Sequence, residues 1–160
     1  MDTFFEKISS YNIVNYMLPG AIFSMLSENW LGYNIVNENM LLALFTVYFV
    51  GLIISRIGSI AIEPLLLKIK FIKFVPYHDY VKQERKDQKI KILNEHNNMF
   101  RTLLTMMILL ILLKAYQFLS VKLCFSQYDN IVLIIGLLVL FLFSYRKQTL
   151  YINKRVNIND

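Results

Sequence analysis

Met40-Leu-Leu-Ala-Leu-Phe-Thr-Val-Tyr-Phe-Val-Gly-Leu-Ile-Ile54 decides the fold. No charged side chain interrupts the sequence from here until Arg56, and it stays mostly apolar to Leu67. A helix rises about 1.5 Å per residue, so roughly 20 such residues cross a hydrocarbon layer of about 30 Å. The rest of the chain repeats the theme. With 56% hydrophobic and only 18% charged residues among 160, and a mean hydropathy of +0.47, one soluble core would not hide this much apolar surface.

Working outward, four spans emerge, at about 13–30, 40–62, 103–120 and 131–145. The third and fourth are Leu/Ile-rich, the third with one charge at Lys114 and the fourth ending at Arg146 and Lys147. The first is the weakest, because Asn15, Pro19, Gly20, Ser24 and Ser27 interrupt it. A kinked span and a re-entrant hairpin fit it equally well, since proline and glycine are tolerated where neighbours satisfy the backbone.

The distribution of Lys and Arg favours four crossings, because cytoplasmic flanks retain positive charge. Residues 1–12 carry Lys7, and 31–39 carry none. Segment 68–101 carries Lys68, Lys70, Lys73, Lys82, Arg85, Lys86, Lys89, Lys91 and Arg101; 120–130 has only Lys122, and the tail has Arg146, Lys147, Lys154 and Arg155. An inside-out-inside-out-inside path satisfies every segment. The expected fold is therefore all-α: a single membrane domain over 1–160, a four-helix bundle in a bacterial inner membrane, with both termini cytoplasmic and a cytosolic helical extension between helices 2 and 3. The net charge of +6 is then mostly juxtamembrane. Each such cation gains about 1 kcal/mol beside anionic lipid, so no nucleic acid is needed to explain the charge.

Segment 82–94 mixes charges of both signs and reads as a solvated helix running into the third span, after a turn near Val75-Pro76-Tyr77. Within 68–101, Lys82, Arg85, Lys86, Lys89, Lys91 and Arg101 are the candidates for contact with anionic headgroups or a cytosolic protein. Asn94, Asn97 and Asn98, just before the third span, are read as helix caps or headgroup ligands. Trp30, Tyr33, Tyr116 and Tyr128 fall near the expected outer interface and Tyr11, Tyr77, Tyr80, Tyr145 and Tyr151 near the inner one, as an aromatic belt does.

Inside the second span, Gly51, Ser55 and Ser59 recur every four residues, a stripe along which another backbone can approach closely. It predicts a helix-helix contact and supplies a surface for homo-oligomerisation. Arg56, Ser59 and Glu63 are spaced i, i+3 and i+7, so they share a face and form a polar column pointing into protein. Arg56 lies close enough to the inner interface to snorkel. An anchoring or packing role with Glu63 stands beside a role as gate or headgroup site. Pro64 is expected to bend the helix there. Lys114 is deeper and needs an outward path alongside Tyr116 and Gln117, or an acid such as Glu28, Glu38 or Asp129.

Motifs for soluble chemistry fail one by one. There is no glycine-rich phosphate loop, HExxH or GxSxG pattern. His78-Asp79 and Glu95-His96 have no spacing that builds a metal site, and Cys124 has no cysteine partner, so it is read as a packed thiol. No cofactor is indicated. The N-terminus lacks the basic flank and cleavage site of a signal peptide, and Asp2 stands where myristoylation needs glycine.

The run from Tyr48-Phe49-Val50-Gly51 through Ser55-Arg56-Ile57-Gly58-Ser59 to Glu63-Pro64, together with Asn97-Asn98-Met99-Phe100-Arg101-Thr102, resembles small bacterial multi-pass membrane proteins of the kind found with stress or anti-phage defence systems. The resemblance covers about a third of the chain and transfers no functional residues. It implies a membrane component that permeabilises the membrane or acts with a cytosolic partner. The expectation is thus a non-enzymatic, oligomeric protein that perturbs or gates permeability. The alternative is an anchor that recruits a partner through 68–101. A lipid-active enzyme is more distant, with Glu63 and His78 as its only candidate acid-base groups.

Overall fold

Five helices make up the described part of the chain, which in this computed structural model comprises residues 13–123 and 129–156; no strand occurs among them. Helix α1 covers 13–31, α2 Met40–Lys68, α3 Tyr77–Glu84, α4 Lys89–Leu123 and α5 Asp129–Val156. Lys7, Tyr11, Cys124 and Tyr128 lie outside the described residues. Three stretches are long and apolar enough to cross a membrane: Met40–Lys68, Lys89–Leu119 and Ile131–Val156. The polar residues that interrupt α1 leave it out of this set.

The helix ends follow local chemistry. The Asn39 side chain accepts from the backbone N–H groups of Leu41 at 3.0 Å and Leu42 at 3.3 Å, capping α2. Helix α1 stops at Gly32, whose φ of 76° is one that residues with a Cβ rarely adopt. After Lys68 the chain closes a Schellman motif, with Phe71 N–H donating to Leu66 O and Lys70 N–H to Leu67 O. Lys70 occupies its left-handed position at φ 60°.

The solvated helix expected over 82–94 is broken. Residues 85–88 form a turn between α3 and α4, and the Asp87 carboxylate accepts from Lys89 N–H at 2.9 Å. Charge periodicity was the wrong guide here, because Asp87 gives the backbone a cap that competes with helical continuation.

Contacts fix the topology. Asn15 of α1 meets Ser55 of α2 and Thr102 of α4, and Trp30 and Leu31 meet Lys114 and Gln117. Thus α1 runs antiparallel to α2 and parallel to α4. Phe141 and Lys147 of α5 lie against Phe49 and Ser59 of α2, so these two run in the same direction. The end that carries segment 68–101 is called the basic end below.

The core belongs to α1, α2 and α4. Phe23, Leu31, Ile54, Met106 and Leu110 are buried together. Helices α1 and α2 cross backbone to backbone: a Cβ on Gly20 would strike the Val47 carbonyl, and one on Gly51 the Tyr16 carbonyl. The small-residue stripe is therefore occupied within the chain. Gly51 and Ser55 face α1 while Ser59 faces α5, so the oligomer contact expected along this stripe is an internal one. Helix α5 is peripheral, and no residue of its most apolar stretch is buried. That surface suits lipid far better than water.

Candidate functional site

Two prolines open the backbone where function-bearing side chains gather. A proline inside a helix lacks an N–H, and its ring collides with the carbonyl four residues earlier. In both cases a wide π-turn ends two residues before the proline: Ile13–Met17 before Pro19, and Gly58–Ile62 before Pro64. Glu63 N–H reaches back to Gly58 O across that second turn. The next such bond would run from residue 64 to Ser59 O, but Pro64 has no hydrogen to give. Lys147 of α5 supplies it, donating from Nζ to Ser59 O, to Ser59 Oγ at 2.8 Å and to the Glu63 carboxylate at 3.0 Å.

The other oxygen of Glu63 accepts from Arg101 of α4. One carboxylate, only 11% exposed, thus joins α2, α4 and α5. Burying charge is costly unless it is paired, and removing one partner of a buried pair typically costs about 3–5 kcal/mol. The polar column expected along one face is altered accordingly. Arg56, Ser59 and Glu63 all line one cavity. Yet Glu63 takes Arg101 and Lys147 as its partners and leaves Arg56, because the π-turn uses an extra residue and rotates everything after Ile62 relative to Arg56. Among the described residues no carboxylate pairs with Arg56.

The cavity, about 460 Å³, opens at the basic end and draws on every helix. Asn15 and Tyr16 come from α1, Ser55, Arg56, Ser59 and Glu63 from α2, and Tyr77 and Tyr80 from α3. Helix α4 adds Asn94, Asn97, Asn98 and Arg101, and α5 adds Tyr151 and Lys154. At its inner limit the buried Asn15 amide donates to Ser55 Oγ at 3.5 Å. Thr102 Oγ1 stands 3.2 Å from Asn15 Oδ1, 3.3 Å from Ser55 Oγ and 2.8 Å from Asn98 O, so its single proton serves one acceptor at a time. Farther along the same helices come Phe23, Ile54, Met106 and Leu110, the apolar core beyond the cavity's inner limit.

Helix α3 forms the wall farthest from the core. Val81 is fully buried beneath it, and Tyr77 stacks on Tyr80 and tilts against Tyr151, with ring centroids 6.4 and 6.0 Å away. Tyr80 donates to Glu84 at 3.0 Å. Burial, and then that neighbouring carboxylate, push the phenol up to about 12. Glu84 also meets Arg155 of α5 at 3.6 Å.

The sequence-level candidates separate in space. Arg101 lies in the cavity, whereas Lys82, Arg85, Lys86, Lys89 and Lys91 are exposed and do not line it. Asn97 and Asn98 turn to the cavity and not to the first turn of α4, which begins at Lys89. Lys114, at the opposite end, donates to Trp30 O at 3.1 Å and Gln117 Oε1 at 3.0 Å, while Gln117 donates to Leu31 O at 3.0 Å. Among the described residues its partners are thus neutral, Glu28 and Glu38 not being among them; the Asp129 side chain lies outside the described part. The cation sits where α1 leaves carbonyls unsatisfied, a favourable position at a helix C-terminus.

Two participants escaped the sequence reading. Lys147 was read as a flank of the fourth span, and Asn15 as an interruption of the first. The usable signal was Asn15 itself: a polar side chain in an apolar run has to find a partner within protein. Acid-base chemistry gains little from this arrangement. Glu63 is engaged by two cations, and His78 is exposed beside Asp79, outside the cavity. Among the described residues no three His, Cys, Asp or Glu side chains gather as metal ligands. Comparisons with protein-family models, curated proteins and solved structures found no match to the chain.

Proposed function

We propose that this is a non-enzymatic protein of the bacterial inner membrane, with four spans and cytoplasmic termini, that gates membrane permeability as a homo-oligomer, in the manner of a stress or anti-phage effector. The observation that carries this reading is the Glu63 clamp. A helix whose apolar stretch is wholly unburied, α5, is held at one end by hydrogen bonds from Lys147 to Ser59 and an ion pair with Glu63. Polar contacts of this kind rearrange as a unit, so breaking the clamp releases α5 from the packed core of α1, α2 and α4 and opens the resting assembly. Four short spans leave little room for a path inside one protomer, so conduction is placed between subunits. The small-residue stripe being occupied, assembly is placed on the exposed apolar side of α5, which joins the exposed apolar side chains of α2 and α4 as available surface.

The test is membrane potential, read with a fluorescent dye in bacteria expressing wild type, Arg56→Ala or Lys147→Met at matched membrane levels. Depolarisation by wild type that Lys147→Met alters and Arg56→Ala reduces is the expected result. An unchanged potential with all three contradicts it and favours the anchor reading. That second reading has its own support. Helix α4 has 35 residues, about 52 Å, far more than a hydrocarbon core requires, and its basic end carries exposed Lys89 and Lys91 beside Lys82 and Lys86.

A further inference from the structure

Among the described residues the charges around the cavity do not balance: Arg56, Arg101 and Lys154 line it with Glu63 as the one carboxylate, and Glu63 is already shared between Arg101 and Lys147. Arg56 is half-buried, and no carboxylate reaches it among the described residues. The Nε of Arg101 is a buried donor with no acceptor among the described residues. A guanidinium removed from bulk water gains most from an anion that accepts several hydrogen bonds, and its planar fork matches phosphate oxygens. Asn97 and Asn98 add neutral amides beside these cations, and the volume of about 460 Å³ falls in the range of small-molecule sites.

We infer that this cavity binds a phosphate monoester, with Arg56 and Arg101 gripping the phosphate and Lys154 adding charge at the mouth. The site does not rest on the permeability reading, since an anchor protein would bind the same group. Two sources carry that chemistry: the headgroup of phosphatidic acid entering from the membrane, and a soluble phosphorylated metabolite entering from water. The exposed lysines of α3 and α4 attract any polyanion, but outside the cavity and without enclosure.

The test uses the full-length protein in phosphatidylcholine nanodiscs with two probes, glycerol 3-phosphate in solution and a small fraction of phosphatidic acid in the bilayer. Binding is followed by radiolabel for the first and by native mass spectrometry for the second. Wild type is expected to hold at least one probe, and Arg56→Met to weaken it about tenfold or more, as loss of charge-assisted hydrogen bonds does. Arg56→Lys should fall between them, because it keeps the charge and loses the fork. Lys86→Met should bind as wild type does. Lys154→Met, remote from the buried network, provides a second decreasing variant should Arg56→Met fail to fold. Capture of glycerol 3-phosphate supports a soluble ligand, and retention of phosphatidic acid that glycerol 3-phosphate does not displace supports a lipid. Binding of neither probe overturns the proposal, as does an equal loss in Lys86→Met, which would reduce the effect to surface charge.

Discussion

At Gly51 a missing side chain sets the distance between two helices. The Tyr16 carbonyl occupies the place of a Cβ, so Gly51→Ala has to push backbone and not a flexible side chain. Overpacking of this kind costs about 1–3 kcal/mol, and a lower thermal unfolding midpoint in detergent is the expected outcome. Gly136→Ala is the control, because a Cβ there meets nothing within 4 Å. It should leave the midpoint unchanged or raise it, through helix propensity. Equal losses in the two variants would contradict the crossing. The closeness was legible in the sequence, since Gly51 and Ser55 are small at helical spacing. Which helix fills the stripe was not legible, because an apolar neighbour and a second copy of the chain satisfy it equally well. The partner of Glu63 was misread for a different reason. An i, i+3, i+7 argument assumes 3.6 residues per turn throughout, and Gly58–Ile62 departs from it.

At the scale of elements, the pairing of a π-turn with a following proline explains why α2 offers a carbonyl that its own backbone does not satisfy. Pro64 was expected to bend the helix; its larger consequence is the carbonyl of Ser59, which Lys147 takes. Pro64→Ala returns the N–H and lets the backbone satisfy that oxygen itself. A double-mutant cycle should then find Lys147→Met less costly in the Pro64→Ala background than in wild type, by about 0.5–1 kcal/mol of unfolding free energy. Additive effects would mean that Lys147 acts through Glu63 alone. The break at 85–88 teaches a related lesson. Mixed charges every few residues favour a solvated helix, but a single aspartate able to cap one is enough to restart it. In contrast, the turn expected at Val75-Pro76-Tyr77 is where α3 begins, with Pro76 at its N-cap, because proline's fixed φ and missing donor leave few alternatives.

For the molecule as a whole, all-helical architecture and three helices fit to cross a membrane followed from composition and run length. These signals are additive over many residues and survive local irregularity. The lateral arrangement was hidden, because a helix such as α5, apolar all round over its first half, carries no stripe pointing to its neighbours. The cavity was hidden too, as it is assembled from five helices with single residues far apart in sequence. What remains decisive is whether α1, which polar residues dilute, crosses the membrane beside α2 and α4 and so places the cavity on the cytoplasmic side. The direct measurement is labelling by a membrane-impermeant maleimide, before and after permeabilisation, of single-cysteine variants Ile13→Cys, Tyr33→Cys and Lys86→Cys in a Cys124→Ser background. Labelling of the Tyr33→Cys variant in intact spheroplasts, with the other two reacting only after permeabilisation, is the predicted result. Labelling of the Ile13→Cys and Tyr33→Cys variants from the same side would contradict a crossing by α1, and the account of the site with it.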